Sequence, residues 1–322
     1  MLTILFGLCF HLCLAQDRIP AHDPVMIKQG GRYYLFCTGR GITVWSSADR
    51  QQWVRQSPVF DKPPAWALAA IPGFRGHIWA PDISYHKGLY YLYYTVSAFG
   101  KNTSCIGLAT NPTLDTASPA FKWTDHGKVV QSVPGRDMWN AIDPNLVLDE
   151  EGKSWLAFGS FWEGIKLVQL SLQMDAPATP EKWYTIAARQ RSAGIADTLA
   201  GDAAIEAPFI YRKGKYYYLF VSFDYCCRGA ASNYKVMVGR SEKVTGPYID
   251  RNGLPMTRGG GSPVISGDKD WHGLGHNAVY QWEGKDYIIL HGYDAKDKGR
   301  AKLIIQPMEW DVEEWPVVIN QH

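Results

Sequence analysis

HDPVMIKQGGRYYLFCTG, residues 22–39, decides the fold, because the same unit returns four more times along the chain. It reads as a turn ending in proline, a strand, a glycine hairpin and a tyrosine-rich strand. The other copies are WAPDISYHKGLYYLYYTVSA (79–98), AIDPNLVLDEEGKSWLAFGSF (141–161), EAPFIYRKGKYYYLFVSFD (206–224) and GHNAVYQWEGKDYIILHGYD (275–294). Pro24, Pro81, Pro144 and Pro208 mark equivalent points, with Ala278 as the fifth, so the intervals are 57, 63, 64 and 70 residues. Each interval holds a four-stranded blade and its loops. The stretches GITVWSSADRQQWV, CIGLATN, IKLVQLSL and KVMVGRSE supply outer strands, and KGRAKLIIQPMEWDVEEWPVV completes the last blade. A β-sandwich or open barrel also has many short strands, but neither predicts one unit repeated at near-constant spacing. The expectation is an all-β chain, a single-domain five-bladed β-propeller over residues 16–322.

Composition agrees with a folded chain that meets flat or polar ligands. Of 322 residues, 46% are hydrophobic and 20% charged, enough apolar material for a large core. Aromatic residues reach 13%, with 13 Trp and 18 Tyr, and their faces suit either sheet packing or stacking on sugar rings. The net charge is only +2 and no Lys/Arg run stands out, which argues against a nucleic-acid partner. Residues 1–15 read as a signal peptide: an apolar run closing on Cys13-Leu14-Ala15, too short for a membrane span, which needs about 20 residues. A secreted or periplasmic protein, monomeric and without a membrane span once processed, is expected. Cys226 and Cys227 are adjacent and therefore poorly placed to pair, so no disulfide framework is expected.

In a propeller the innermost strands line the central channel, so the residues that open them converge on the axis. The pairs before the anchors are His22-Asp23, Trp79-Ala80, Ile142-Asp143, Glu206-Ala207 and His276-Asn277. One Asp before a Pro is explained by turn capping, with the residue before proline held extended. Three carboxylates from three repeats at one mouth, Asp23, Asp143 and Glu206, are not. Glu206 lies between Ile205 and Ala207, so its charged form is poorly solvated and its carboxyl should be raised, which suits a general acid. Inverting glycoside hydrolysis needs such an acid opposite a carboxylate that activates water, about 6.5–9.5 Å away, and blades facing each other across a channel supply that gap.

The succession HDP, WAPDI, IDPN, IEAP and GHN, from His22 to Trp315, resembles glycoside hydrolase family 43 and within it the arabinanases. The resemblance implies inverting cleavage of α-1,5-L-arabinan, endo-wise, by an endo-1,5-α-L-arabinanase. It implies Asp23 as general base, Glu206 as general acid and Asp143 as the carboxylate that orients the acid. It also implies that His276 lies near an axial calcium that is mostly water-coordinated, since calcium prefers 6–8 oxygen ligands. Trp79 and Phe99 match sugar-stacking positions. His22, Asn140 and Ser160 lie near the acids and are expected to bind sugar hydroxyls or orient carboxylates. The stretch 220–240, with Cys226-Cys227, is also similar to arabinanases, and the loop is expected near the site. An exo-acting arabinanase, an arabinofuranosidase or a β-xylosidase would use the same three carboxylates, and a glycan-binding propeller would keep Trp79 without needing Asp23 and Glu206 together. The sister fructan hydrolases carry arginine before the second DP and cysteine after the acid, where this chain has Ile142 and Ala207.

Overall fold

The computed structural model describes residues 18–319, so the expected signal peptide at 1–15 lies outside the described residues. Five antiparallel sheets follow one another in chain order, each built from an inner strand outward, as in a five-bladed β-propeller. Their inner strands are Val25–Gln29, His77–His86, Asn145–Leu148, Ile205–Lys213 and Trp271–Trp282. Each turns back through a glycine hairpin into a second strand. At Lys87-Gly88 and Glu283-Gly284 both hairpin residues have positive φ, the mirror-image turn whose twist matches that of its strands. Third strands fall where the sequence predicts them: Thr43–Ser47, Ser104–Asn111, Ile165–Gln169, Lys235–Ser241 and Arg300–Trp310. Blade 2 gains a two-residue extra strand, Gly39–Arg40, and one short helix, Ala65–Ala70, bridges blades 1 and 2.

The blades are joined by apolar seams. Val25, Phe36 and Ile83 belong to the seam of blades 1 and 2, Tyr93, Ile106 and Leu156 to that of 2 and 3, and Ala157, Leu219 and Val221 to that of 3 and 4. Phe220 with Leu290 and Met26 with Ile289 do the same for blades 4 with 5 and 5 with 1. Fully burying one such aliphatic or aromatic side chain is worth about 1.5–3 kcal/mol. Seams of this kind around a closed circle explain why the ring holds without a central core. The circle is fastened at Pro20, which bridges Lys302, while Leu303 N–H donates to Ile19 O at 3.0 Å, so the segment leading into blade 1 adds to blade 5.

The register corrects the alignment of the fifth repeat by one residue. Phe209, which follows Pro208, pairs with Phe220, and the equivalent pair in blade 5 is Ala278 with Ile289. Asn277, not Ala278, therefore stands where the other blades have proline, and the residues that precede it in register are Gly275 and His276.

Candidate active site

The residue just before each anchor has a left-handed φ in every blade: Asp23 (51°), Ala80 (42°), Asp143 (57°), Ala207 (54°) and His276 (51°). The extended geometry expected before proline does not hold. In blades 2, 4 and 5 this residue lies in a break of the ladder, as between Glu206 and Phe209, and in blades 1 and 3 it stands just before the inner strand. Side chains of non-glycine residues pay about 1–2 kcal/mol for this conformation, so something must hold it.

What holds it is a side chain of the preceding blade, which accepts the peptide N–H of the left-handed residue. Thr38 Oγ1 accepts from Ala80 at 2.8 Å, Thr95 Oγ1 from Asp143 at 3.1 Å, and Ser222 Oγ from His276 at 2.8 Å. His291 Nδ1 accepts from Asp23 at 3.1 Å and closes the circle from blade 5 to blade 1. In blade 3 the corresponding position is Gly159, and a Cβ there would stand 2.8 Å from Gly164 O. The Ala207 N–H is instead accepted by Asp143 Oδ2 at 3.1 Å.

All nine residues expected in the site line one cleft of about 840 Å³: His22, Asp23, Trp79, Phe99, Asn140, Asp143, Ser160, Glu206 and His276. The buried Asp23 carboxylate meets His22 Nδ1 at 2.9 Å and His276 Nδ1 at 3.0 Å, and the Thr38 hydroxyl donates to it. Burial opposes its charge, but His22 and His276 together outweigh burial and hold Asp23 well below the usual carboxylate range. Glu206 accepts hydrogen bonds from Tyr234 (2.8 Å) and Ser160 (2.9 Å), yet burial prevails and raises its carboxyl. Asp143 is likewise raised, by burial first and by the neighbouring charge of Glu206. His276 is raised to about 9: burial works against its charge, and Asp23, Asp143 and Glu206 overcome it.

The remaining expected residues divide between wall and scaffold. Trp79 donates Nε1 to His77 at 3.0 Å, and Phe99 is 80% exposed at the rim. Asn140 is buried and accepts from Ser104 at 2.6 Å, so its carbonyl belongs to the scaffold. Sequence reasoning missed Tyr234, His291 and Tyr293. His291 occupies the position of Thr38, Thr95 and Ser222 in its own repeat, a polar residue closing an apolar strand, and aligning the second strands would have found it. No local pattern marks Tyr234.

The expectation that Cys226 and Cys227 do not pair is overturned: they form a vicinal disulfide, with Cα atoms 3.8 Å apart. A left-handed φ of 64° at Cys227 bends the loop so that two neighbouring sulfurs meet. Both cysteines line the cleft, while Cys37 and Cys105 are buried and free.

For an ion at His276 this geometry leaves one ring nitrogen, because the other faces Asp23. The one His/Asp/Glu/Cys cluster with metal-ligand spacing among the described residues is His22, Asp23 and His291, whose nitrogens are all engaged in hydrogen bonds or ion pairs. Such a donor set fits an ion coordinated mostly by water and not a protein-caged one.

Comparison with known proteins agrees with this architecture. The chain is 52% identical to the extracellular exo-α-(1→5)-L-arabinofuranosidase of Cellvibrio japonicus, over 98% of this chain and 91% of that protein. It is 42% identical to the extracellular endo-α-(1→5)-L-arabinanase 1 of Bacillus subtilis, over 92% and 86%. The structure of Cellvibrio cellulosa α-L-arabinanase complexed with arabinohexaose superposes with a TM-score of 0.93 at 53% identity, covering 94% of this chain and 96% of that one. The profile of glycosyl hydrolases family 43 matches residues 18–316, and the chain belongs to that family.

Proposed function

We propose that the protein hydrolyses α-1,5-linked L-arabinan with inversion, Asp23 acting as general base, Glu206 as general acid and Asp143 as the group that positions the acid. The observation that carries this reading is the opposite protonation tendency of two carboxylates at one mouth. Burial is outweighed at Asp23 by two imidazoles, which hold it well below the usual carboxylate range, whereas burial raises Glu206 above its ordinary value. An ionised Asp23 takes a proton from water as it attacks the anomeric carbon, and a protonated Glu206 delivers one to the departing oxygen. Asp143 holds the backbone next to Glu206 through Ala207 N–H. Trp79 and the exposed Phe99 offer flat faces for arabinose rings. The substrate class is supported by the names of the relatives reported above: an exo-α-(1→5)-L-arabinofuranosidase, an endo-α-(1→5)-L-arabinanase and an α-L-arabinanase complexed with arabinohexaose.

Endo-wise cleavage is the mode expected from the sequence. Exo-wise release is favoured by one observation: the relative at 52% identity is named for exo action and the one at 42% for endo action. Secretion fits relatives that are extracellular and a cleft disulfide, which persists in oxidising compartments. A calcium ion, if carried, would be held by His276 and water, and would supply positive charge beside the three carboxylates.

The deciding experiment is a product profile on linear debranched arabinan, branched arabinan and xylan, with the first-formed anomer read by early-time NMR. A β-configured arabinose product supports inversion, and an α-configured one rejects it. One dominant short product from the first minutes establishes exo action, a mixed ladder establishes endo action, and release of xylose alone rejects the substrate.

A further inference from the structure

The vicinal disulfide is connected to the candidate base by hydrogen bonds whose directions are fixed by two peptide donors. Asp23 N–H can only donate, so His291 Nδ1 is an acceptor and the ring proton sits on Nε2, 3.3 Å from the Tyr293 hydroxyl. Cys227 N–H can only donate, and it reaches the same hydroxyl at 2.7 Å. The Tyr293 hydroxyl also lies beside the Ser232 side chain and, at 3.0 Å, beside His22 Nε2, to which it can donate its own proton. His22 then carries its ring hydrogen on Nδ1, the atom that stands 2.9 Å from Asp23 Oδ1. Burial holds His291 well below the usual imidazole range, which agrees with its neutral form in this chain of bonds.

Cys227 is where the chain of bonds leaves the packed interior. His291 is wholly buried and Tyr293 nearly so, whereas Cys227 lies in the cleft wall in a left-handed conformation that a non-glycine residue does not keep unaided. Its covalent link to Cys226 is the constraint at hand, and the Cys227 sulfur stands 3.8 Å from His22 Nε2. We propose that the Cys226–Cys227 disulfide is a positioning element for Asp23, holding the Cys227 peptide on Tyr293 and, through Tyr293 and His22, the carboxylate in its catalytic orientation. This rests on the reading of Asp23 as the base. A dithiol reductant opens the link by two exchanges: its thiolate attacks one sulfur, its second thiol displaces the mixed disulfide, the reductant leaves as a disulfide, and Cys226 and Cys227 become two thiols. Freed of the ring, Cys227 relaxes from its positive φ and its N–H leaves Tyr293.

The test is kcat and KM on debranched arabinan for the wild type and Tyr293→Phe, each oxidised and after dithiothreitol, with the Cys226→Ser/Cys227→Ser double variant beside them. Reduction of the wild type should lower kcat about ten-fold at unchanged KM, because a misplaced base slows chemistry and not binding. The double variant should match it, and if that variant fails to fold, the reduced wild type carries the test alone. In Tyr293→Phe the acceptor is already gone, so reduction should change kcat by less than about two-fold. An unchanged kcat on reduction overturns the proposal. So does a rise in KM in place of the fall in kcat, or the same loss factor in Tyr293→Phe. Asp23→Ala separates this from the underlying reading: turnover by that variant rejects Asp23 as base, whereas its inactivity beside a wild type whose kcat is unchanged by reduction rejects the coupling alone.

Discussion

The junction of blades 3 and 4 differs from the other four. Elsewhere Thr38, Thr95, Ser222 and His291 hold the left-handed residue of the next blade. Between blades 3 and 4 the scaffold position is Gly159, and the site carboxylate of Asp143 accepts the Ala207 N–H itself. The contrast teaches that one group can serve as scaffold and as chemistry, and that the place where it does so is next to Glu206. Its carboxylate cannot swing away from the acid without releasing the backbone that carries the acid. At the other junctions the two duties are divided, and the Thr38 hydroxyl shows the division at its narrowest, accepting from Ala80 while donating to Asp23.

Substitutions can break this contrast. The largest effect is expected from Glu206→Ala, which should lower kcat on unactivated arabinan by about 10²–10⁴ while leaving binding in place, since only leaving-group protonation is lost. Calorimetric binding of an arabino-oligosaccharide alongside turnover checks both halves. Asp143→Ala should come next, with a fall in kcat of about 10² and a lower melting temperature, because the Ala207 N–H is left without its acceptor. Asp143→Asn keeps an oxygen for that N–H. It should retain the wild-type melting temperature and still lose activity, and a variant that loses both would mean that the charge itself holds the junction.

Ser222→Ala tests the divided arrangement. Leaving the His276 N–H unpaired should cost about 1–3 kcal/mol in denaturant unfolding, with kcat reduced by less than about ten-fold. A loss of kcat as large as that of Asp143→Asn would erase the distinction between the junctions. The smallest effect on turnover is expected at Asp82, which acts on stability alone and ties blade 2 to blade 3, accepting from Leu146 N–H at 2.7 Å and Asn145 Nδ2 at 3.2 Å. Burial raises its carboxyl from 3.8 to about 6. The folded form therefore binds the proton more tightly than the unfolded one, so this contribution is full below about pH 4 and is lost as pH rises through about 6. The stability difference between wild type and Asp82→Asn should fall across that window by up to about 3 kcal/mol and be flat above it. A difference that is flat from pH 4 to 7 rejects the shift.

Much of this molecule was legible in its sequence. The repeat that begins at His22 returns with a proline, a glycine hairpin and a tyrosine-rich strand, and these features act locally: proline and glycine restrict or free the backbone, and alternating apolar residues choose the strand face. Five such units imply a ring, and a ring implies that Asp23, Asp143, Glu206 and His276 meet at one cleft. The fifth repeat was misaligned by one residue because Asn277 replaces proline, and the break in the ladder at His276 is visible only in the pairing.

What the tertiary structure alone decided is how those residues are held. Tyr234 on Glu206, Tyr293 on His22, Asp143 on Ala207 and the closure of Cys226 on Cys227 depend on contacts between residues distant in the chain or on a backbone turn that no local preference favours. Composition and periodicity report what each segment does by itself. A peptide N–H turned inward by a left-handed residue takes its partner from whichever blade packs beside it, and that neighbour is set by the closing of the ring.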